Sequence, residues 1–312
     1  MRTRTALIVW FVATSAVAAS NRIFVSGSGM DIGTCPITAP CRSFSYAISQ
    51  VAPGGEIIAL DTAGYGVVTI NFAVTIVAAP GATAFIAASS GNAITVNGGA
   101  NDVVTLRGLA LSGAPGAQYG VSFSSGPTLN VEKCIINGFD LAGIYVGRNS
   151  VEEPQVRVID SVIRNGNTGI FVFQIMAGKL AFVTIANSAF TGNISGGVYA
   201  DQSGRVVAVD SVFAGNYFGL SVTGFAEATR AEATLDRCTL SRNHLALGVG
   251  SSAMQQVDGI VRIANCRITG NDMGVNTGAA GQILSRISNS VLTNTIEGNG
   301  VDGSPTGTFA AK

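Results

Sequence analysis

Apolar and polar residues alternate along most of the chain, and the alternation recurs in copies of one short pattern. In residues 261–275 an apolar run is followed by a polar residue and a small one, a second apolar run, and then Asn and Gly. Copies lie at 156–170, 184–198, 207–220 and 233–247, with looser ones at 129–144 and 285–300. The small residues that mark each copy are spaced by 23 to 28 positions: Leu109, Cys134, Ser161, Ser188, Ser211, Cys238, Cys266 and Ser290. A repeat of this length predicts stacked supersecondary units, a solenoid.

Two columns stay apolar and are predicted to face inward. The first holds Val131, Val158, Ile185, Ala208, Leu235, Ile263 and Ile287, and the second Ile136, Ile163, Phe190, Phe213, Leu240, Ile268 and Leu292. Between them lies a corner column: Lys133, Asp160, Asn187, Asp210, Arg237, Asn265 and Asn289. Asn and Asp tolerate the left-handed backbone of a tight corner, and stacked Asn amides can bond along the axis. We expect local irregularity at Lys133 and Arg237.

A third run reads Gly-apolar-x-apolar in each copy. It occurs at 143–146, 169–172, 197–200 and 219–222. Three short strands per turn, alternating inside and outside, predict an all-β chain folded as a parallel β-helix. No copy contains the ten or more residues of 3.6 periodicity that a helical repeat requires.

Residues 1–19 have the features of an export signal. Arg2 and Arg4 precede an apolar run, and small residues near Ala18 and Ala19 offer a cleavage site. A membrane anchor is the alternative, but the apolar run is too short to span a bilayer. We therefore expect a secreted or cell-surface protein without a membrane span.

Residues 20–55 do not fit the repeat and are predicted to form an N-terminal cap. Cys35 and Cys41 bracket a short Pro-containing loop, and an exported chain can oxidise them to a disulfide; two free thiols are the alternative. Phe44, Ile48 and Val51 fall on one face of a helix that we expect to end at residues 53–55 and to cover the open end of the solenoid. The solenoid is predicted over 56–300, and the tail 301–312 is expected to be free.

Composition removes some partners. Charged residues make up only 12% of the chain and the formal net charge is zero. Without a basic excess, nucleic acid is not an expected partner.

Three opening motifs resemble a known group. Residues 40–44 (PCRSF), 53–57 (PGGEI) and 64–66 (GYG) look like the start of secreted bacterial right-handed β-helix proteins of the pectate-lyase-like group, and with the repeats the resemblance covers the mature chain. The resemblance implies a right-handed helix with a substrate groove along the outer face of the third strand. It implies no single activity, since lyases, hydrolases, esterases, epimerases, adhesins and tailspikes share this scaffold.

The outer face of the third strand carries aromatic residues. Its expected outward positions are Ser122, Tyr145, Phe171, Tyr199, Ser221 and Asn276. Pectate lyases place calcium-binding Asp residues and an Arg base there, and polygalacturonases several Asp and a His; neither set is present in this column. Tyr145, Phe171 and Tyr199, with Phe173, form a stripe that can bind sugar rings. Alternatively, these rings pack on one another or under a loop near residues 152–155.

Catalytic candidates are few. Asp201 follows Tyr199 on the same face, and Asp140, Arg148, Glu152 and Glu153 lie in flanking segments, where solvated loops are the alternative. Asp160 and Asp210 occupy the corner column and His244 has no motif around it, so we assign them no catalytic role. The leading hypothesis is a non-catalytic module that binds a polysaccharide or a surface glycan, or serves as a rigid surface protein, with no cofactor or metal. The alternative is a polysaccharide lyase or glycoside hydrolase, and calcium is expected only under the lyase alternative.

Overall fold

The computed structural model describes residues 20–147, 153–173, 179–201, 204–223, 231–250, 259–278, 281–288 and 291–310. The expected signal segment 1–19 lies outside these residues. Within them, no helix is long and apolar enough to cross a membrane.

The described strands form three sheets that run the length of the molecule, named A, B and C in the order in which each turn visits them. Sheet A contains Ser20–Val25, Val51–Ala59, Val74–Ala78, Val103–Arg107, Thr128–Glu132, Gln155–Ile159, Ala181–Ala186, Gly204–Val209, Ala231–Asp236, Gly259–Ala264, Gln282–Ser288, Val291–Leu292 and Gly307–Ala310. Sheet B contains Ala63–Gly64, Ala84–Ala88, Leu109–Gly113, Ile135–Asn137, Val162–Arg164, Ala189–Thr191, Val212–Ala214, Thr239–Ser241, Arg267–Thr269 and Thr295–Ile296. Sheet C contains Val68–Ile70, Gly91–Asn97, Ala117–Ser125, Ala142–Val146, Thr168–Val172, Gly196–Asp201, Phe218–Thr223, Leu245–Val249 and Met273–Thr277.

Each strand pairs in parallel with its equivalent one turn away. The register follows the repeat, so that Val158 pairs with Ile185 in sheet A and Ile163 with Phe190 in sheet B. Among the described strands, the one antiparallel pair joins Gln282–Ser288 to Val291–Leu292. The predicted fold, a parallel β-helix with three strands per turn, is confirmed.

The core is one continuous apolar column inside the three sheets. Both predicted inward columns are buried over the regular turns, and Phe190 and Phe213 stack inside it with ring centroids 5.2 Å apart. Glycine begins the sheet C run because neighbouring turns approach closely there. A Cβ added to Gly169 would lie 2.3 Å from the carbonyl oxygen of Gly197. This contact explains the Gly of the Gly-apolar-x-apolar pattern.

The corner between sheets A and B is one residue in the left-handed conformation. Asp160, Asn187 and Asn265 have φ of 51°, 48° and 54°. The prediction of a local irregularity at Lys133 and Arg237 was wrong, since both residues have φ of 51°, the same as Asp160. The corner side chains point into solvent, where the Arg237 guanidinium forms two bonds to the Asp210 carboxylate, at 2.7 and 2.9 Å. This ion pair holds the pKa of Asp210 below its usual value.

An asparagine ladder runs along a second corner, between sheets B and C. Its members are Asn193, Asn216, Asn243, Asn271 and Asn299. The Oδ1 atom of Asn243 accepts from the backbone N–H of Asn216 at 3.0 Å and from its amide at 3.1 Å, while the Asn243 amide donates to the carbonyl of Phe213 at 2.9 Å. The axial amide bonding expected in the corner column therefore lies mainly in this column, and Asn193 is a structural residue within it.

The marker column forms a second internal ladder. The hydroxyl of Ser188 accepts from the backbone N–H of Ser161 at 3.2 Å and donates to the carbonyl of Ala186 at 2.8 Å. Cys134, Cys238 and Cys266 occupy the same column as buried free thiols. Burial raises the pKa of Cys134 to about 11.

The N-terminal region carries the predicted disulfide, between Cys35 and Cys41. The predicted helix is shorter than expected and spans Phe44–Ala47, with Ser43 as its N-cap. Its assignment to Val51 was wrong, because Val51–Ala59 is a strand that pairs with Ser20–Val25. Sheet A therefore begins inside the segment 20–55. The helix buries Phe44 against Tyr65, with ring centroids 5.0 Å apart.

The last turn departs from the predicted alignment. Ile263 pairs with Ser285 rather than Ile287, and Ile268 pairs with Ile296 rather than Leu292. The residue that bonds to the Cys266 backbone is Asn294, 28 positions later, instead of Ser290. The interval is therefore 28 positions, the same as between Cys238 and Cys266, and the antiparallel pair of sheet A lies within it. The tail is also not free, since Gly307–Ala310 adds to sheet A beside Gln282–Ser288.

Replacing one member of the asparagine ladder tests what holds the turns together. Asn243→Ala should lower the free energy of unfolding by about 2–4 kcal/mol, because it leaves a buried N–H and a buried carbonyl without partners. Urea denaturation followed by circular dichroism measures this. Asn137→Ala removes an exposed hydrogen bond between the side-chain amides of Asn165 and Asn137. This variant should lower the free energy of unfolding by no more than about 0.5 kcal/mol. Equal losses of stability in the two variants would contradict the assignment of Asn243 as a residue that holds the turns together.

Alkylation tests the cysteine assignment. In the native, unreduced protein, iodoacetamide should label none of the cysteines, because the three free thiols are buried and a raised pKa keeps Cys134 protonated. Denaturation should expose those three, and reduction should add Cys35 and Cys41. Mass spectrometry counts the labels, and rapid labelling of the folded protein would refute the buried placement.

Candidate functional site

The outer face of sheet C presents one straight column of side chains along the solenoid axis. Its described members are Thr69, Thr95, Ser122, Tyr145, Phe171, Tyr199, Ser221, Gly248 and Asn276. Neighbouring members are separated by one strand spacing, ~4.8 Å. The six positions expected to point outward all fall in this column, but Ser122 and Ser221 are buried there.

Five aromatic residues meet on this face and are called here the aromatic cluster: Tyr119, Tyr145, Phe171, Phe173 and Tyr199. Tyr119 stacks on Tyr145 with centroids 4.6 Å apart. Phe171 lies at the centre, 6.0 Å from Tyr145, 5.2 Å from Phe173 and 5.5 Å from Tyr199, at interplanar angles of 57°, 45° and 70°. The rings contact one another, as one alternative expected, and their inclination gives a faceted surface rather than a flat platform.

Four rings of the aromatic cluster, all but that of Tyr145, line an open groove of about 380 Å³, called here the aromatic groove. Its lining comprises Tyr119, Leu141, Asn167, Thr168, Phe171, Phe173, Ser195, Tyr199 and Asp201. Sequence reasoning missed Tyr119, Leu141, Asn167, Thr168 and Ser195. These five stand one or two positions before the Gly of the sheet C run, near the start of the strand, where period-two counting does not apply. Proximity to that Gly was the one signal available.

Asp201 ends the strand Gly196–Asp201 and is 2% exposed. The hydroxyl of Thr223 lies 3.4 Å from its Oδ1 and 2.9 Å from the Tyr199 hydroxyl. Burial raises the pKa of Tyr199, the hydrogen bond with Thr223 opposes the rise, and the negative charge of Asp201 adds to it. Tyr199 therefore stays a neutral hydrogen-bonding phenol at physiological pH.

The other catalytic candidates do not join Asp201. Asp140 is exposed and accepts a 2.6 Å hydrogen bond from the backbone N–H of Gly116. Glu153 is exposed ahead of the strand Gln155–Ile159, and neither residue lines the aromatic groove. Arg148 and Glu152 lie outside the described residues. Among the candidates that the structure describes, only Asp201 lies in the groove.

His244 lies apart from the groove lining. Its ring stacks on Tyr217 with centroids 4.6 Å apart, and its Nδ1 is 2.9 Å from Asp272 Oδ2. Across the described ranges, no three His, Cys, Asp or Glu side chains come together as a metal site.

Two buried amide oxygens on this face have no hydrogen-bond partner within the described residues. One is Oδ1 of Asn167, in the aromatic groove. The other is Oδ1 of Asn92, in a second recess of about 330 Å³ beside Thr69 and Thr95. A buried acceptor without a donor is costly, so each is suited to a donor from a bound molecule.

Comparison with known proteins gives the fold. The family described as right handed beta helix region matches residues 175–306. Pectate lyase Pel9A superimposes with a TM-score of 0.60 at 15% identity, covering 94% of this chain and 81% of its own. XylC, in its complex with xylose, superimposes with a TM-score of 0.64 at 10% identity, covering 85% of this chain and 69% of its own. No curated protein sequence matches the chain. The three parallel sheets, the family match over residues 175–306 and these two structures together identify the fold as a right-handed parallel β-helix, the fold that the chain shares with pectate lyase Pel9A.

Proposed function

We propose that the protein is a non-catalytic extracellular module that binds a polysaccharide or a cell-surface glycan along the outer face of sheet C. The observation that carries the proposal is the aromatic cluster, four of whose rings line a groove beside buried polar groups. Sugars combine apolar C–H faces with hydroxyl groups, so they suit a surface of aromatic rings with a few polar groups that fix orientation.

The distribution of recesses supports an extended ligand. The second recess and the aromatic groove lie on the same face of sheet C. In the outward column, Thr95 of the second recess and Phe171 of the aromatic groove are three turns apart, roughly 14 Å at the strand spacing. One chain of sugars running along the axis can contact both.

The polar groups of the aromatic groove support binding rather than turnover. Glycoside hydrolysis commonly uses two carboxyl groups on either side of the scissile bond. Of the described lining residues, only Asp201 carries a carboxyl group. The position of Asp201 beside Tyr199 nevertheless favours a second candidate, a polysaccharide lyase or hydrolase in which Asp201 acts on the bound chain.

Export is part of the proposal. The features of residues 1–19 predict a signal peptide, and the disulfide between Cys35 and Cys41 supports an oxidising compartment.

Removing the central ring tests the binding surface. Phe171→Ala should weaken glycan binding by about tenfold, because stacking and apolar contact at the centre of the aromatic groove are lost. A glycan array followed by calorimetry on each hit gives the affinities. The matched control is Phe182→Ala, which removes an exposed ring from sheet A, on another face; its affinity should stay unchanged. Equal affinities for both variants would contradict the proposed surface. Absence of any glycan ligand would favour a role as a rigid surface protein.

A turnover assay separates the two candidates. We expect no unsaturated product in the ultraviolet and no new reducing ends when the bound glycan is incubated with the protein, with calcium or with a chelator. Turnover abolished by Asp201→Asn would establish the second candidate. If calcium were required, the lyase form of it would be favoured.

A further inference from the structure

We infer that the second recess is an end-binding subsite: it binds the terminal sugar of the glycan, while the sugars that follow lie in the aromatic groove. The inference rests on the proposed function and adds how the glycan is positioned in the site. Three observations support it. The recess adjoins the aromatic groove, the N-terminal helix closes it on one side, and a buried acceptor without a partner lines it.

The second recess and the aromatic groove are neighbours on the outer face of sheet C. Asn92 of the recess pairs with Tyr119 of the groove, so the two residues are one strand spacing apart, ~4.8 Å. Adjacent strands of one sheet therefore carry the two sites. A glycan that contacts the rings of the groove and runs towards the N-terminal end of the solenoid reaches the recess next.

The helix Phe44–Ala47 closes the recess on its N-terminal side. Among the described strands, sheet C begins there with Val68–Ile70. Ser45 of the helix and its C-cap residue Ile48 line the recess together with Thr69, the outward residue of that first strand. A chain of sugars that extends along the outward column therefore meets these two side chains, called here the end wall.

Hydrogen bonds and ring packing hold the end wall in place. The backbone N–H of Phe44 donates to the carbonyl of Tyr65 at 3.0 Å, and the two rings pack with centroids 5.0 Å apart. The Asp31 carboxylate accepts from the backbone N–H of Ser43, the N-cap residue, at 2.9 Å and from its hydroxyl at 2.7 Å. The end wall is therefore anchored both to the first turns of the solenoid and to the N-terminal loop.

The hydrogen-bonding groups of the recess suit a chain end. A terminal sugar has a free hydroxyl where interior sugars form a glycosidic bond, and the glycosidic oxygen has no hydrogen to donate. Oδ1 of Asn92 is buried without a partner in the described residues, while the amide of the same side chain donates to the Thr95 hydroxyl at 3.1 Å. A terminal hydroxyl satisfies this acceptor. The exposed side chain of Val67 adds apolar contact for the sugar ring.

Counting protein molecules per glycan chain tests the inference on the full mature protein. The probes are size-fractionated oligomers of xylan, homogalacturonan and chitosan, and of any other polysaccharide that binds in the glycan array. In calorimetry, the stoichiometry should stay at one protein per chain as the oligomer is lengthened. Binding along the interior of the glycan would instead raise the number of protein molecules per chain in proportion to length, and this result would overturn the inference.

Blocking the chain ends gives a second readout. A bulky substituent on the terminal sugar that enters the recess should weaken binding at least about tenfold, and the same substituent at the opposite end should leave the affinity unchanged. Equal affinities for both blocked forms and for the unmodified oligomer would contradict end binding.

Two variants test the role of the recess itself. Asn92→Ala removes the acceptor and should weaken binding about tenfold. Its matched control is Asn130→Ala on sheet A, where the Asn130 amide donates to the Thr105 hydroxyl at the same distance, 3.1 Å; the affinity of this variant should be unchanged.

The second variant, Thr69→Trp, fills the recess from an exposed position, so the chain should still fold. It should weaken binding at least as much as Asn92→Ala. Its control is Thr184→Trp, at an exposed position of sheet A. Wild-type affinity in Thr69→Trp would overturn the assignment of the recess.

Two failures are distinguishable. If the number of protein molecules per chain rises with length, or the recess variants bind normally, while Phe171→Ala still weakens binding, the inference is overturned and the proposed function stands. If no probe binds, or Phe171→Ala changes nothing, the proposed function fails and the inference fails with it.

Discussion

The structure depends on satisfying the backbone at its corners. Parallel strands pair their N–H and carbonyl groups with the turns above and below. At the corners between sheets A and B and between sheets B and C, the chain changes direction, and buried backbone groups there need other partners. There the asparagine ladder and the marker column supply donors and acceptors from side chains, and each member forms hydrogen bonds to the turn before it. Because a buried polar group without a partner costs about 1–3 kcal/mol, these columns fix the turns in one register.

That register also builds the site. The sheet C column is straight because successive turns pair this strand in one register, from Val121 with Ile144 to Leu247 with Val275. Aromatic residues in successive copies must then meet, and Tyr145, Phe171 and Tyr199 do so. The groove therefore needs no dedicated loop to bring its rings together; the solenoid repeat does it.

The sequence was informative wherever its columns repeat. The inward positions, the left-handed corners and the outward column follow from counting, because the same physical environment recurs every turn. The prediction was wrong where a strand pairing outside the regular repeat interrupts it. The helix stops at Ala47 because Val51 is taken into sheet A beside Ser20, a long-range pairing that helical periodicity cannot show. The last alignment was wrong because Val291–Leu292 pairs antiparallel with Gln282–Ser288 before the chain resumes sheet B.

The site was predicted in part for the same reason. Counting found the three rings of the column and Asp201, but Tyr119 and Asn167 lie near the start of a sheet C strand, where side-chain directions follow no period. Tyr119 stacks on Tyr145 from a strand whose register is irregular near Ala117. The buried Oδ1 of Asn167 could not be found from its residue type, since Asn is common at this place in the repeat for structural reasons.

The coil-by-coil construction makes the length of the binding face adjustable. Each turn contacts mainly its two neighbours, so duplication or deletion of one coil would move the flanking coils apart or together by one strand spacing without repacking them. A gene for such a protein can therefore extend or shorten its binding face in steps of a single coil, while each coil keeps its own side chain facing the ligand.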